Sequence, residues 1–286
     1  MFQLPDDESA EGVADWIELG LAVGEHQLSR AKVGAIIQSV SGSEPDETFL
    51  SDIWRHLQTR EAQYYRRFFR CDEDLVRRSL SGTAPLEYVS CLLFSLYGVS
   101  DEHRLDPKVF ERIAAVAIKN YVGGKAFVFG WPVLSGVQAD IGSRVRQLAV
   151  AARESFAEAP AERYKDRGVD VIAWKPFEEH ITGEHRSNQI VVLAQCAAGS
   201  NWRQKTTQLP YRSWTQYIHW ACDPVQGFAV PRVIASEIWH DISRECEGIL
   251  FDRIRIMNLL PNGVEDGGFA AQMQEWADSE LEQARA

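Results

Sequence analysis

The chain has 286 residues, 45% of them hydrophobic and 25% charged, with a formal net charge of −11. That suits a globular protein of one large domain or two modest ones, and no apolar run approaches the roughly 20 residues that a membrane-spanning helix needs. A net acidic chain also departs from the basic profile of most nucleic-acid-binding domains.

The start, MFQLPDDESAEG, is acidic and lacks the basic lead and apolar core of a secretory signal, so a cytoplasmic location is expected. The five cysteines, Cys71, Cys91, Cys196, Cys222 and Cys246, are far apart and form no CxxC pair. Buried thiols are expected, and neither a disulfide framework nor a zinc cluster. Acidic residues crowd both ends of the chain, while Arg55, Arg60, Arg66, Arg67, Arg70, Arg77 and Arg78 reverse the sign locally. Such patches decide where phosphates bind, whatever the global charge.

From residue 12 to about 120 the hydrophobic period is helical. GVADWIELGLAVGEHQL presents one broad apolar face, and SRAKVGAIIQS begins on a candidate N-cap, Ser29. DETFLSDIWRHLQTREAQYYRRFFR reads as a long amphipathic helix or a pair of helices. DEDLVRRSLSG, PLEYVSCLLFSLYGVS and DPKVFERIAAVAIKNYVGG follow as further helices, the last closed by Gly123 and Gly124.

After Gly124 the texture changes. AFVFGWP is a short strand or entry turn, and DIGSRVRQLAVAARESFAEAP a helix with Val145, Leu148, Ala149, Ala152 and Phe156 as its buried stripe, stopped by Pro160. GVDVIAW and QIVVLAQCAA are strands around the polar turn KPFEEHITGEHRSN, the signature of a hairpin. GSNWRQKTTQL opens a helix capped by Ser200 or Asn201. QGFAVPRVIAS is a further strand, SEIWHDISRECEG a helix, and GILFDRIRIMNLL a final strand or helix. From Pro261 a polar helix or loose tail is expected. The expected class is therefore α/β (α+β), with a mixed sheet. A helical domain over 1–125 precedes an α/β domain over 126–286 that ends in an acidic tail.

The unusual residue is Asp170, a carboxylate inside GVDVIAW. Burying it costs several kcal/mol unless a cation, a metal or hydrogen-bond donors face it. Alternation gives Asp170 the parity of Ile172 and Trp174, and a hairpin brings it near Gln195. Lys205 then falls on the first or second turn of the following helix, able to reach back over the strand end. A carboxylate, an amide oxygen, a backbone carbonyl and a lysine are the parts of a Mg²⁺ site for phosphodiester hydrolysis.

This order of helix, GVDVIAW, turn, IVVLAQCAAG and helix resembles the core of the PD-(D/E)xK nuclease superfamily, the restriction-endonuclease-like fold. The resemblance covers about residues 140–210. It places Asp170 at the motif Asp and Gln195 at the motif Glu/Gln; the motif lysine position holds Ala197, and Lys205 on the next helix is placed to supply that charge. Glu154, or else Glu158, would be the upstream helix acid. Lys175 is a spare lysine of opposite strand parity. By this resemblance Asp170, Glu154 and the carbonyl of Cys196 would hold Mg²⁺ or Mn²⁺. Gln195 would assist as a ligand or orient water, and Lys205 would support the attacking hydroxide. DNA would be the substrate, gripped at its phosphates by Arg66, Arg67, Arg70 and Arg77. The resemblance also implies a homo-oligomer or a partner protein subunit, and defence against foreign DNA as a setting. The alternative is a catalytically inert nuclease-like module that binds DNA or a partner protein.

Plainer roles stand beside these. Asp170 would salt-bridge Lys165 or Arg167, Gln195 would satisfy strand-end backbone groups, and Lys205 would be solvated. The arginines of QYYRRFFR would form a solvated face over a core stripe. His180 and His185 lack the helical i, i+4 spacing of a zinc pair. No GxSxG nucleophile turn or phosphate loop is present.

Overall fold

The computed structural model describes residues 2, 4, 9–79, 83–98, 106–177, 187–199 and 201–285. Two compact units emerge, Met1–Leu105 with Arg253–Ala286, and Asp106–Asp252. The chain is a mixed α/β protein with a mostly helical N-terminal region. No helix among the described residues is long and apolar enough to cross a membrane.

The first unit opens on α1 (Ala10–Val23), capped by the Ser9 hydroxyl, which accepts from the Gly12 N–H. Nearly every residue of α1 is buried, so it is the central helix of its unit. β1 (Gln27–Ser29) leads into α2 (Arg30–Ser41), with Ser29 as the expected cap, and α3 (Glu47–Gln63) follows. The long helix expected through QYYRRFFR stops at Gln63. Tyr64 turns extended because its ring packs edge-on to Phe68, Phe69 and Tyr88. Alternation begins at Phe69, which is buried, with Arg70 exposed and Cys71 half-buried. The segments expected as helix therefore hold β2 (Phe69–Cys71) and β3 (Leu75–Arg78), which join β1 in an antiparallel sheet of order β1-β3-β2. α4 (Leu86–Tyr97) packs on α1.

The second unit begins with α5 (Pro107–Val122), which has Asp106 as N-cap, Pro107 in its first turn, and Gly123 in the left-handed region at φ 66°. The sequence pattern puts this helix in the domain over 1–125; in the structure it packs on the second unit's sheet, against β4 (Lys125–Val128). Then come α6 (Ile141–Ala151), β5 (Ser155–Phe156), β6 (Val171–Lys175), β7 (Ile190–Cys196), the single turn α7 (Trp202–Lys205), α8 (Tyr211–Tyr217), β8 (Ile218–His219), β9 (Val225–Ala229), α9 (Ser236–Cys246) and β10 (Ile249–Phe251).

The main sheet has the order β10-β9-β7-β6-β4. β4, β6 and β7 are antiparallel neighbours, so GVDVIAW and IVVLAQC do form the expected hairpin, while β7, β9 and β10 run parallel. One face is covered by α6 and α8, which bury Ile172, Trp174, Val191 and Leu193 with Trp214, and by α9 over Phe228 and Leu250. α5 covers the other face, where Tyr121 meets Phe251 edge-on at 5.4 Å. The helix expected to run to Pro160 ends at Ala151, because Arg153 takes a left-handed φ of 55°.

The chain then returns to the first unit as α10 (Arg253–Asn258) and α11 (Gly267–Gln283), both packed on α4. The acidic tail is thus an ordered amphipathic helix with Phe269, Met273 and Ala277 buried.

Candidate functional site

Asp170 stands immediately before β6, where the strand pairing is distorted. Its N–H donates to the Ala194 carbonyl at 2.9 Å, and its own carbonyl accepts from both Phe129 and Gly130, at 2.6 and 3.0 Å. Strand parity breaks at this point: Val169 and Ile172, on either side, both enter the cluster under α6. Asp170 is thereby freed from the face of Ile172 and Trp174 on which simple alternation puts it. Its Oδ2 accepts from the Cys196 N–H at 2.7 Å.

The other carboxylate oxygen answers the question of what Asp170 faces. A methyl group built on Gly130 would lie 2.6 Å from Asp170 Oδ1, 2.6 Å from Glu111 Oε2 and 2.9 Å from Lys108 Nζ. Three charged groups from two segments thus converge on one glycine, a cradle that any side chain would fill. Glu111 and Lys108 come from α5 and are bonded to each other; each is almost wholly buried.

Their electrostatics follow from that burial. Desolvation raises Asp170 to about 6, against the Cys196 hydrogen bond and the charges of Lys108 and Lys205; Asp166 pushes the same way as burial. Desolvation also raises Glu111 to about 8, reinforced by Asp170 and opposed by Lys108. Asp166 is itself held by the N–H groups of Trp131 and Gly168, each at 2.9 Å. Two carboxyls held this far above their ordinary values beside two lysines mark a functional-site candidate.

Gln195 pairs with Phe228, which packs under α9, so it lies on the sheet face opposite α5; α7 joins the same cluster through Trp202. Gln195 shares the parity of Leu193, is 8% exposed, and its Oε1 has no hydrogen-bond partner. Such an orphaned buried oxygen calls for an explanation. Lys205 is half-buried on α7, and its charge reaches Asp170. Asn201 occupies the N-cap position of α7, while Ser200, the other cap candidate, lies outside the described residues. Ala197 packs in an apolar cluster with Trp202, Phe228 and Val230, so position 197 offers a lysine no polar surroundings.

The Ala197 N–H donates to Ala229 on β9. By strand alternation the peptide groups of Cys196 face the other edge, so its carbonyl lies on the side of Asp170. The donors gathered at Asp170 are therefore two carboxylates and one backbone carbonyl, a hard-oxygen set that suits Mg²⁺ or Mn²⁺, with the Gln195 amide oxygen on the other face. No group of three or more His, Cys, Asp or Glu side chains is set for a metal among the described residues.

Glu154 is elsewhere engaged. It has left α6, and its oxygens accept from the N–H groups of Asn188 at 3.2 Å and Ala221 at 3.0 Å. The acid that meets Asp170 is Glu111, from the helix ahead of β4. The upstream helix acid expected from the sequence, Glu154, is not the one the fold brings to Asp170. Glu111 has its own signal: it shares a helical stripe with Ala114 and Ile118, a carboxylate on an apolar face. Lys165 lies 5.4 Å over the Trp131 ring and Arg167 3.9 Å over Tyr164. The cations acting on Asp170 are Lys108 and Lys205. His180 and His185 lie outside the described residues.

Arg66, Arg67, Arg70 and Arg77 are exposed on the first unit. Arg66 and Arg67 sit in the turn after α3, whose backbone is pinned by Asn258 Oδ1 accepting from the Tyr65 N–H at 2.7 Å. Arg70 pairs across the β2–β3 hairpin with Arg77, which binds Asp72 at 2.7 Å.

No protein-family model matches the chain, and no curated protein matches it. Among solved structures, restriction endonuclease FokI aligns over 95% of this chain and 46% of its own, at 6% identity and a TM-score of 0.24. FokI bound to DNA aligns over 98% and 47%, at 10% identity and a TM-score of 0.20. The likeness is weak, and the chain spans about half the length of that enzyme.

Proposed function

We propose that the second unit is a metal-dependent nuclease of PD-(D/E)xK type that hydrolyses DNA phosphodiester bonds. The observation that carries this reading is the convergence of Asp170 and Glu111 on Gly130. Asp170, Glu111 and the Cys196 carbonyl would hold Mg²⁺ or Mn²⁺, while Gln195 Oε1, on the other face of the sheet, would orient a water and not share the cation with Glu111. A bound divalent cation supplies an acidified water and neutralises charge on the phosphate. The chain's own residues do the rest. The Cys196 N–H fixes the carboxylate of Asp170, Gly130 leaves the pocket free of a side chain, and burial keeps bulk water from weakening the charges. Lys205, whose charge reaches Asp170, would support the attacking hydroxide. The exposed arginines of the first unit suit a phosphate grip that ignores sequence.

The test is cleavage of plasmid and linear DNA with Mg²⁺ or Mn²⁺ by wild type, Asp170→Ala and Lys205→Ala. Metal-dependent cutting by wild type that both substitutions abolish supports the reading. A second reading, a nuclease-like module that binds DNA without cutting it, is favoured by the burial of Ala197 among apolar side chains. Salt-sensitive DNA binding with no cleavage under any divalent cation would select it.

A further inference from the structure

Lys108 has no counterpart in the reading above. It sits in the first turn of α5, three residues before Glu111, and is 7% exposed. A lysine is poorly placed there for the helix itself, because the N-terminal end of a helix carries partial positive charge and favours anions. Nor is it a surface residue with its ammonium in water. Its Nζ binds the Glu111 carboxylate and lies at the same glycine as Asp170 Oδ1. The acids, and not the helix, hold it in place.

The charges explain why something must be there. Two carboxylates brought together out of water cannot both ionise without a cation beside them. Lys108 is the nearest, and its single charge is shared between two acids, with Asp166 adding a third negative field. A lysine is suited to leave such a place. Its ammonium is a strongly hydrated point charge on a flexible four-carbon stem, unlike the planar two-pronged clamp of an arginine. The oxygens it engages are those assigned above to a divalent cation.

We infer that Lys108 is an exchangeable internal counterion: its ammonium, bonded to Glu111 and acting on Asp170 through its charge, offsets the two carboxyls until a divalent cation takes those oxygens, so that cation binding is an exchange and not an addition to a bare site. The inference rests on the metal reading of the site and adds a consequence that reading lacks. Affinity for the cation is set against the hold of Lys108, and removing the ammonium strengthens cation binding even though it removes a polar group from the pocket.

The test uses Mn²⁺ alone, without DNA, on the full chain at fixed pH. Free Mn²⁺ is followed by electron paramagnetic resonance in titrations of wild type, Lys108→Met, Lys108→Arg and Asp170→Asn. Lys108→Met is expected to bind Mn²⁺ about tenfold more tightly than wild type, and Lys108→Arg within about threefold of it. Asp170→Asn is expected to lose binding. Should Lys108→Met fail to fold, Lys108→Gln takes its place with the same expected gain. Equal or weaker binding by a folded Lys108→Met or Lys108→Gln, with Asp170→Asn still defective, overturns the counterion role and leaves the metal site standing. Mn²⁺ binding that none of the substitutions alters, or no binding at all, overturns both.

Discussion

The Cys196 N–H donates to Asp170 Oδ2 at 2.7 Å, tying the head of β6 to the end of β7. This bond fixes one oxygen of the carboxylate and leaves the other to face Glu111 and Lys108 over Gly130. A carboxylate used only to brace the hairpin would stabilise the fold. One kept charged in a dry pocket strains it, because desolvation drives it toward the neutral form. Asp170→Asn and Glu111→Gln are therefore expected to abolish cleavage while leaving stability unchanged or raising it by about 0.5–2 kcal/mol. Chemical denaturation checks this, and a loss of several kcal/mol in both variants would mark the pair as structural.

Lys205 and position 197 give a paired prediction. Lys205→Ala is expected to reduce cleavage by about 10²-fold or more. Stability should move by no more than about 0.5 kcal/mol, since the side chain is only half-buried. Ala197→Lys combined with Lys205→Ala is not expected to restore activity. It would put an ammonium among Trp202, Phe228 and Val230 and destabilise the unit by several kcal/mol. Rates and melting curves of the single and double variants separate these outcomes.

In the first unit, Arg253 and Arg60 lie buried between Asp15 and Glu18, with Arg253 2.5 Å from Asp15 and Arg60 2.8 Å from both acids. The two positive and two negative charges balance, so removing one guanidinium leaves a buried carboxylate uncompensated. Arg253→Ala is expected to cost about 3–5 kcal/mol in urea unfolding of that unit.

The two units should respond to pH with opposite sign. For Asp15, burial pushes the carboxyl up, but Arg253 and Arg60 outweigh it and hold the group well below the usual carboxylate range. Its contribution is present above the ordinary value of 3.8 and is lost as pH falls below it. Glu111 is raised to about 8 from an ordinary 4.5, so the folded form keeps a proton that the unfolded chain releases. Without divalent cations that contribution is full below 4.5 and fades as pH rises through about 8. Melting curves across this range should show Glu111→Gln flattening the alkaline side alone and Asp15→Asn the acid side alone.

Arg66 and Arg67 are expected to contribute phosphate contacts without sequence preference. Arg66→Ala and Arg67→Ala should each weaken DNA binding about equally across sequences and lower the slope of log K against log salt by about one. Arg77→Ala should matter less, since Asp72 already holds that guanidinium. Fluorescence anisotropy at several salt concentrations measures all three.

The sequence made the sheet's hairpin legible because β6 and β7 are apolar runs around a polar turn, and β-branched residues on a covered sheet read plainly. It concealed β2 and β3: YYRRFFR carries aromatic residues at a spacing that fits either period, and only the packing of Tyr64 against Phe68 and Tyr88 decides for strand. Asp170 stood out because a carboxylate within an apolar strand is costly. Glu111 did not, since a helix tolerates a glutamate anywhere and what buries this one is a sheet distant in sequence. Parity misplaced Asp170 itself, because the break in alternation arises from its carbonyl serving two N–H groups of another segment.

The most direct test of the account is a comparison of Mg²⁺-dependent DNA cleavage rates for wild type, Glu111→Gln and Glu154→Gln. The geometry predicts that Glu111→Gln loses about 10²-fold or more while Glu154→Gln stays near wild type, because the Glu154 oxygens are already bound to peptide N–H groups. Full activity in Glu111→Gln would contradict the assignment of the pocket over Gly130 as the catalytic centre.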